Sequence, residues 1–181
     1  VERNDSRAGY AFLQVHTDRD VNAVGDGNTA GDAWLEARQQ WPCFRGADGN
    51  ATSVGGDAPV AWNSASGTGI LWKSVVPMPG HSSPVVWSNR VFLTGATREW
   101  HGIFAYDLET GQLVWSNVWP MALAAGQELQ VMEDTGYAAS TPATDGRLVW
   151  AIFADGDLKA VDSGGQERWF RRLGPLASMY G

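Results

Sequence analysis

One short pattern occurs twice in this chain. AYDLETGQLVW runs from Ala105 to Trp115, and AVDSGGQERW runs from Ala160 to Trp169. Each copy has a small residue, an aspartate, a glycine turn and a tryptophan in the same order, and the flanking segments align as well. Repeated segments fold into similar units that pack against their neighbours. The internal repeat therefore restricts the possible folds more than the composition does.

Each repeat unit has the sequence pattern of four short strands. In the first unit, PVVW, RVFLTGA, GIFAYDL and QLVWSN are rich in β-branched and aromatic residues and are separated by turn formers. In the second unit, Asp145-Gly146 and Asp155-Gly156 stand where tight hairpins are needed. Four-stranded antiparallel sheets repeated around an axis form a β-propeller. We therefore predict an all-β chain with two propeller blades, at about residues 82–117 and 140–171.

The order of residues that the two repeat units share has a structural explanation. Asp107 and Asp162 each end a strand, where a carboxylate can accept hydrogen bonds from turn N–H groups. The tryptophans leave the turn on the fourth strand, where an indole ring can pack between neighbouring sheets. A structural role, rather than a catalytic one, is predicted for the repeated residues: Ala105, Asp107, Thr110, Gly111, Trp115, Ala160, Asp162, Gly165 and Trp169.

The pattern Ala-x-Asp-x-x-Thr-Gly-x-x-x-Trp is similar to the repeat of PQQ-type β-propellers. WPCFRGADGNA (Trp41–Ala51) resembles the opening segment of PQQ-like repeat proteins related to the outer-membrane assembly lipoprotein BamB. ILWKSVVPMPGHSSPVVW (Ile70–Trp87) resembles the strand and connection that lead into their first full blade. The resemblance covers about residues 41–181, which we assign to a propeller domain. Residues 1–40 carry no such likeness and are predicted to be irregular or disordered.

In this family, the strand within ILWKS comes before the first full blade. The resemblance implies that it completes the last blade and thereby closes the ring. Propellers have about 4–8 blades, and this chain offers two. We therefore expect an incomplete propeller with an orphan strand around Ile70–Ser74, and self-association through open sheet edges.

The resemblance implies three functional hypotheses. The favoured one is a non-catalytic binding or scaffolding propeller of a bacterial envelope, periplasmic or secreted protein, with a protein partner and no cofactor. The second is a fragment of a quinoprotein dehydrogenase, which would hold pyrroloquinoline quinone beside a calcium ion and a catalytic aspartate. Many such enzymes also have a disulfide between adjacent cysteines, which is excluded here because Cys43 is the single cysteine. The third is a truncated product without independent function.

Charge and hydropathy argue against two other classes of partner. Asp and Glu outnumber Lys and Arg by 20 to 13, a net charge of −7 that opposes binding to nucleic-acid phosphates. No apolar run is long enough to span a membrane as a helix. The N-terminal sequence also lacks the basic and apolar regions of a signal peptide.

The histidines do not suggest a metal site by their spacing. His81 stands in PGHSSP, where a solvated or backbone-bonded loop side chain is expected. His16 and His101 have no second His or Cys at ligand spacing, so no zinc site is predicted. DRDVNAVGDGN (Asp18–Asn28) resembles a calcium loop in composition, but its register fails and an acidic linker is favoured.

Two further segments lie outside the repeat units. DAWLEARQQ predicts one or two helical turns with Asp32 as the N-cap. The connection between the two units, residues 119–139, is long and is acidic through Glu128, Glu133 and Asp134. It is either a binding loop or a plain spacer.

Overall fold

The computed structural model of the chain describes residues 10–11, 29–54, 60–123 and 128–174. Four strands between Val85 and Pro120 form one four-stranded antiparallel sheet, and four strands between Ala143 and Arg172 form a second with the same meander order. These sheets confirm the predicted all-β fold with two four-stranded units. The elements in chain order are β1 (Tyr10–Ala11), α1 (Thr29–Arg38), β2 (Ser74–Val75), β3 (Val85–Trp87), β4 (Arg90–Ala96), β5 (Trp100–Asp107), β6 (Leu113–Pro120), β7 (Ala143–Thr144), β8 (Leu148–Ile152), β9 (Asp157–Asp162) and β10 (Glu167–Arg172).

Two of the three hairpins of the second sheet form at the Asp-Gly pairs. Gly146 and Gly156 have φ angles of +84° and +79°, in the left-handed region that favours glycine. The Asp145 carboxylate accepts a hydrogen bond from the backbone N–H of Leu148 at 2.8 Å, which fixes the reversal between β7 and β8. The local sequence therefore determines where the chain turns, as predicted.

The main core lies between the two sheets. Alternate residues of each strand point to one face, so the apolar residues of the two sheets meet there. Removing this apolar surface from water is the main force that holds the sheets together. The buried residues of this core include Val85, Phe92, Ile103 and Ala105 from the first sheet and Val149, Ala151, Phe153 and Val161 from the second sheet and its hairpin.

A smaller core covers the other face of the first sheet. The segment that carries Trp72, Val76 and Met78 packs against buried residues of β4 and β5, among them Leu93 and Phe104. The orphan strand belongs to this segment. It is β2, Ser74–Val75, and it pairs in antiparallel register with β1. The orphan strand thus confirms the prediction, although it is shorter than the expected stretch and lies at its C-terminal end.

The segment at Trp41 and Pro42 connects the inner edges of the two sheets. Trp41 and Val86 of β3 exchange two backbone hydrogen bonds, of 3.0 and 2.8 Å. The carbonyl of Pro42 accepts a hydrogen bond of 2.8 Å from the backbone N–H of Thr144 in β7. This stretch therefore adds a backbone connection to the side-chain core.

The helix before the propeller region corrects one prediction. Helix α1 begins at Thr29, so Asp32 lies inside it and is not the N-cap. Aspartate is common both at the N-cap and in the first turn of helices, so the residue type alone does not fix where the helix begins. His16 and the calcium-loop pattern at residues 18–28 lie outside the described residues. Across the described ranges, no helix has the length and apolarity needed to cross a membrane.

Candidate functional site

The repeated aspartates stabilise the turns that follow them. Oδ1 of Asp107 accepts hydrogen bonds from the backbone N–H and the hydroxyl of Thr110, each at 2.9 Å. Oδ1 of Asp162 accepts them from the backbone N–H groups of Gln166 and Gly164, also at 2.9 Å. These bonds, led by the backbone N–H of Thr110 and of Gln166, hold the pKa of both carboxyls below its usual value. Both aspartates thus occupy turn positions.

The repeated tryptophan of the first unit contacts the turn of the second. The indole N–H of Trp115 donates a 2.9 Å hydrogen bond to the carbonyl of Ser163. Its ring lies against Gly165, where a Cβ atom would approach the indole within 2.6 Å. Gly165 also has a φ of +83°. Glycine is therefore required at this turn both by the backbone conformation and by the neighbouring ring.

The same contact occurs one unit earlier. The indole N–H of Trp72 donates a 2.8 Å hydrogen bond to the carbonyl of Leu108, and its ring packs against Gly111. The remaining motif residues are Trp169 and the two alanines, and the alanines are fully buried in β5 and β9. Ala105 lies opposite Trp115, and Ala160 lies opposite Trp169, across neighbouring strands.

A buried polar cluster lies between the two sheets. It comprises His101 near the start of β5, Asp155 in the turn between β8 and β9, and Asp157 at the start of β9. Their exposed fractions are 0%, 4% and 0%. Nε2 of His101 lies 3.3 Å from Oδ1 of Asp155, and Nδ1 lies 3.8 Å from Oδ2 of Asp157. The imidazole therefore lies between two carboxylates.

Aromatic rings and one arginine enclose the cluster. The imidazole of His101 packs against the rings of Phe153 and Trp119, with centroids 4.5 and 5.2 Å away. The Trp119 indole N–H donates to Oδ2 of Asp157 at 3.3 Å. Arg172 donates to both oxygens of Asp157, at 2.8 and 3.3 Å. The charge of Asp157 is therefore compensated by a two-point ion pair.

Asp155 is the less compensated carboxylate of the cluster. Its burial disfavours the charged form, but the nearby His101 imidazole and the backbone N–H of Asp157 outweigh burial and hold the pKa of this carboxyl below its usual value. Oδ2 of Asp155 has no hydrogen-bond partner among the described residues. Asp155 therefore retains capacity for one further hydrogen bond or ligand.

This cluster is not evident from the repeat pattern, because its members come from different repeat units. His101 was predicted to stand alone, and Asp155 was interpreted as a hairpin residue. One signal could have found the site. Strand alternation places His101 on the same face as Ile103 and Ala105, which are core residues. A histidine on an inward face needs polar partners, and the facing hairpin carries two aspartates.

A buried lysine lies beside the cluster and carries its own partner. Nζ of Lys159 lies 3.7 Å from the centroid of the Trp119 ring. It forms an ion pair of 2.8 Å with Glu167 and a hydrogen bond of 3.2 Å with Asn117. Lys159 therefore pairs with a carboxylate outside the cluster.

The other candidates from the sequence do not join this site. His81 lies in an exposed loop position, and its backbone N–H donates to the carbonyl of Ala138 at 2.9 Å. The Cys43 thiol donates to a backbone carbonyl three residues later. In the long connection, Glu128 pairs with Arg98 at 2.6 Å on the surface.

Two meander sheets with a repeated tryptophan–glycine contact define a β-propeller segment of the PQQ-repeat class. The family model described as "Outer membrane protein assembly factor BamB" matches residues 17–178. The chain belongs to this family.

Two of the solved structures that match part of this chain are as follows. BamB from Moraxella catarrhalis is 21% identical, and the match covers 58% of this chain and 27% of that chain with a TM-score of 0.42. A europium-containing methanol dehydrogenase is 18% identical, with coverage of 54% and 16% and a TM-score of 0.40. The matched region therefore spans less than a third of either protein. No curated protein sequence matches the chain significantly.

Proposed function

We propose that this chain is a non-catalytic binding or scaffolding segment of a β-propeller in the bacterial cell envelope. It binds an extended segment of a partner protein along the outer strand β6, and it needs no cofactor. The observation that supports this function most is the uncharged, apolar and open edge of β6. The envelope location is supported by membership of a family named for an outer membrane protein assembly factor.

Strand β6 is open on one side. Within the described residues it pairs only with β5, so the backbone groups on its other edge are free to pair. Alternate side chains such as Trp115 and Trp119 contribute to the contact with the second sheet. Val114 and Val118, on the opposite face, are 45% and 43% exposed. An extended peptide can add to such an edge through backbone hydrogen bonds and place its side chains against the valines.

The outer edge of the second sheet differs from that of the first. Natural proteins protect edge strands from pairing by placing charged side chains on them. In β10 the charged residues are Glu167, Arg168, Arg171 and Arg172. In β6, LVWSNVWP, there is none. One outer edge is thus protected by charge, and the other is left open. Outer strands remain at the edge of their blades even when a propeller ring is closed, so this difference does not depend on the number of blades.

The charge of the chain indicates the kind of segment that β6 binds. The net charge of −7 attracts a cationic partner and speeds its association. We therefore expect a partner segment with apolar residues at alternate positions and Lys or Arg at its flanks.

Site-specific photocrosslinking tests the location of the binding surface. A photoreactive residue is placed at Val114 or Val118 and, as a control, at Val60, which is 99% exposed. In a bacterial envelope fraction, the β6 positions are expected to crosslink to one extended segment of one protein, which mass spectrometry identifies. Equal products from Val60 would remove the support for β6, and a crosslink to a second copy would replace the partner by self-association.

A peptide copy of the crosslinked segment then measures affinity. Val114→Lys and Val118→Lys each place a charge on the open edge and are expected to weaken peptide binding about tenfold or more, a loss of about 1.4 kcal/mol. Val60→Lys is the matched control and should leave the affinity unchanged. Titration with pyrroloquinoline quinone and calcium is expected to give no saturable binding. Stoichiometric quinone binding would favour the dehydrogenase hypothesis instead.

A further inference from the structure

The buried cluster of His101, Asp155 and Asp157 has hydrogen-bonding capacity that the described residues do not use. Neither ring nitrogen of His101 makes a hydrogen bond there, and neither does Oδ2 of Asp155. The His101 side chain is completely buried. Burying a polar atom without a hydrogen-bond partner is unfavourable, so three such atoms at one place give the site capacity for a further ligand.

The donor set suits a divalent transition-metal ion. One ligand atom from each of the three residues lies within 4.8 Å of the others. Ligands of one tetrahedral zinc ion lie about 3.4 Å apart, as follows from bond lengths near 2.1 Å. Small side-chain rotations therefore bring the donors into range. An imidazole nitrogen with two carboxylates favours zinc-like ions over magnesium and calcium, which prefer oxygen ligands throughout.

We propose that His101, Asp155 and Asp157 bind one zinc-like divalent ion between the two sheets. The ion links strand β5 of the first unit to the β8–β9 hairpin of the second. It satisfies a ring nitrogen of His101 and Oδ2 of Asp155, and it balances the carboxylate charges. The site is thus a metal link between neighbouring propeller units, on the face of β6 opposite to the exposed Val114 and Val118.

Arg172 controls access to this site. Its guanidinium pairs with Asp157, yet its side chain is 46% exposed whereas Asp157 is fully buried. The arginine can therefore turn toward solvent while the carboxylate stays in place. With Arg172 turned outward, the two charges of the ion neutralise the two carboxylates. The arginine and the ion consequently compete for Asp157.

Metal titration of the chelator-stripped chain tests the proposal directly. With Co²⁺ as a spectroscopic substitute, we expect saturable visible absorption typical of tetrahedral coordination, at one ion per chain. Zn²⁺ should displace Co²⁺ and raise the thermal unfolding temperature, because ligands that bind only the folded state stabilise it. Mg²⁺ and Ca²⁺ should do neither. Absence of saturable Co²⁺ binding to the wild-type chain would overturn the proposal.

Variants distinguish this site from surface binding. His101→Gln and Asp155→Asn are expected to weaken Zn²⁺ binding at least about tenfold, in line with the loss seen when metal-supporting residues are changed. His81→Gln is the matched control for an exposed histidine and should bind normally. Loss of binding in His81→Gln, with normal binding in Asp155→Asn, would contradict the site.

The competition of Arg172 with the ion gives an independent readout. Arg172→Gln should bind Zn²⁺ more tightly than the wild type, and Zn²⁺ should restore more of its stability. Arg168→Gln removes a comparable surface pair with Asp162 and should leave the affinity unchanged. If Arg172→Gln binds no more tightly, or if nitrogen NMR shows an imidazolium that persists in excess Zn²⁺, His101 acts as a protonated bridge and the proposal is wrong.

Discussion

At the scale of single residues, each repeated tryptophan ring packs against a glycine in the turn of the next unit. The ring of Trp115 fills the space that Gly165 leaves open, and its N–H satisfies a carbonyl of the same turn. Trp72 and Gly111 repeat this arrangement one unit earlier. Each pair joins a fourth strand, or the segment in its place, to the turn of the following unit. The motif therefore stabilises contacts between units rather than within one.

Trp115→Ala is expected to lower the free energy of unfolding by about 3 kcal/mol, the lower end for a large aromatic side chain because the ring is only partly buried. Trp34→Ala is the control, since that side chain is 50% exposed on helix α1. Its effect should stay within about 0.5 kcal/mol. Urea unfolding measures both, and equal losses at the two positions would show that the core does not lie between the sheets.

At the scale of elements, the hairpins were predictable and the contacts between them were not. Asp-Gly and Thr-Gly pairs specify reversals locally, and the strands between them follow from β-branched and aromatic residues. The pairing of β2 with β1 has no such local signal, because it joins segments far apart in the chain. His101 was missed for the same reason. Its partners are fixed by how two units face each other, which a comparison of one unit with another does not reveal.

The turn carboxylates give the hairpins a defined dependence on acid. The pKa values of Asp107 and Asp162 are lower in the folded chain than usual. Their stabilising contribution is therefore complete above the unfolded pKa, about 4, and is lost as the pH falls through the folded value. Asp107→Asn combined with Asp162→Asn should be less stable than the wild type at neutral pH. Below about pH 4 the difference should shrink.

Urea unfolding at a series of pH values tests this dependence. The exposed Asp134→Asn is the control and should differ little from the wild type at any pH. A difference between the double variant and the wild type that stays constant into acid would mean that the turn carboxylates contribute through shape rather than charge.

At the scale of the whole molecule, the two repeat units form one structure because neither can bury its apolar face alone. The core residues of the first sheet and those of the second belong to one cluster. The segment at Trp41 and Pro42 adds backbone hydrogen bonds to both inner strands. The buried cluster of His101, Asp155 and Asp157 adds a polar contact between the same two sheets. The outer edge of β6, which pairs only with β5 among the described residues, is the surface that we propose for partner binding.

Native-state hydrogen exchange measures most directly whether the two sheets unfold as one cooperative unit. If the shared core couples the sheets, the slowest amides of β4 and β5 and those of β8 and β9 report the same opening free energy, which equals that of global unfolding. Trp115→Ala should then lower the opening free energies of the slowest amides in both sheets by the same amount. Two different opening free energies, with the loss in Trp115→Ala confined to one sheet, would show that the two sheets unfold as separate units.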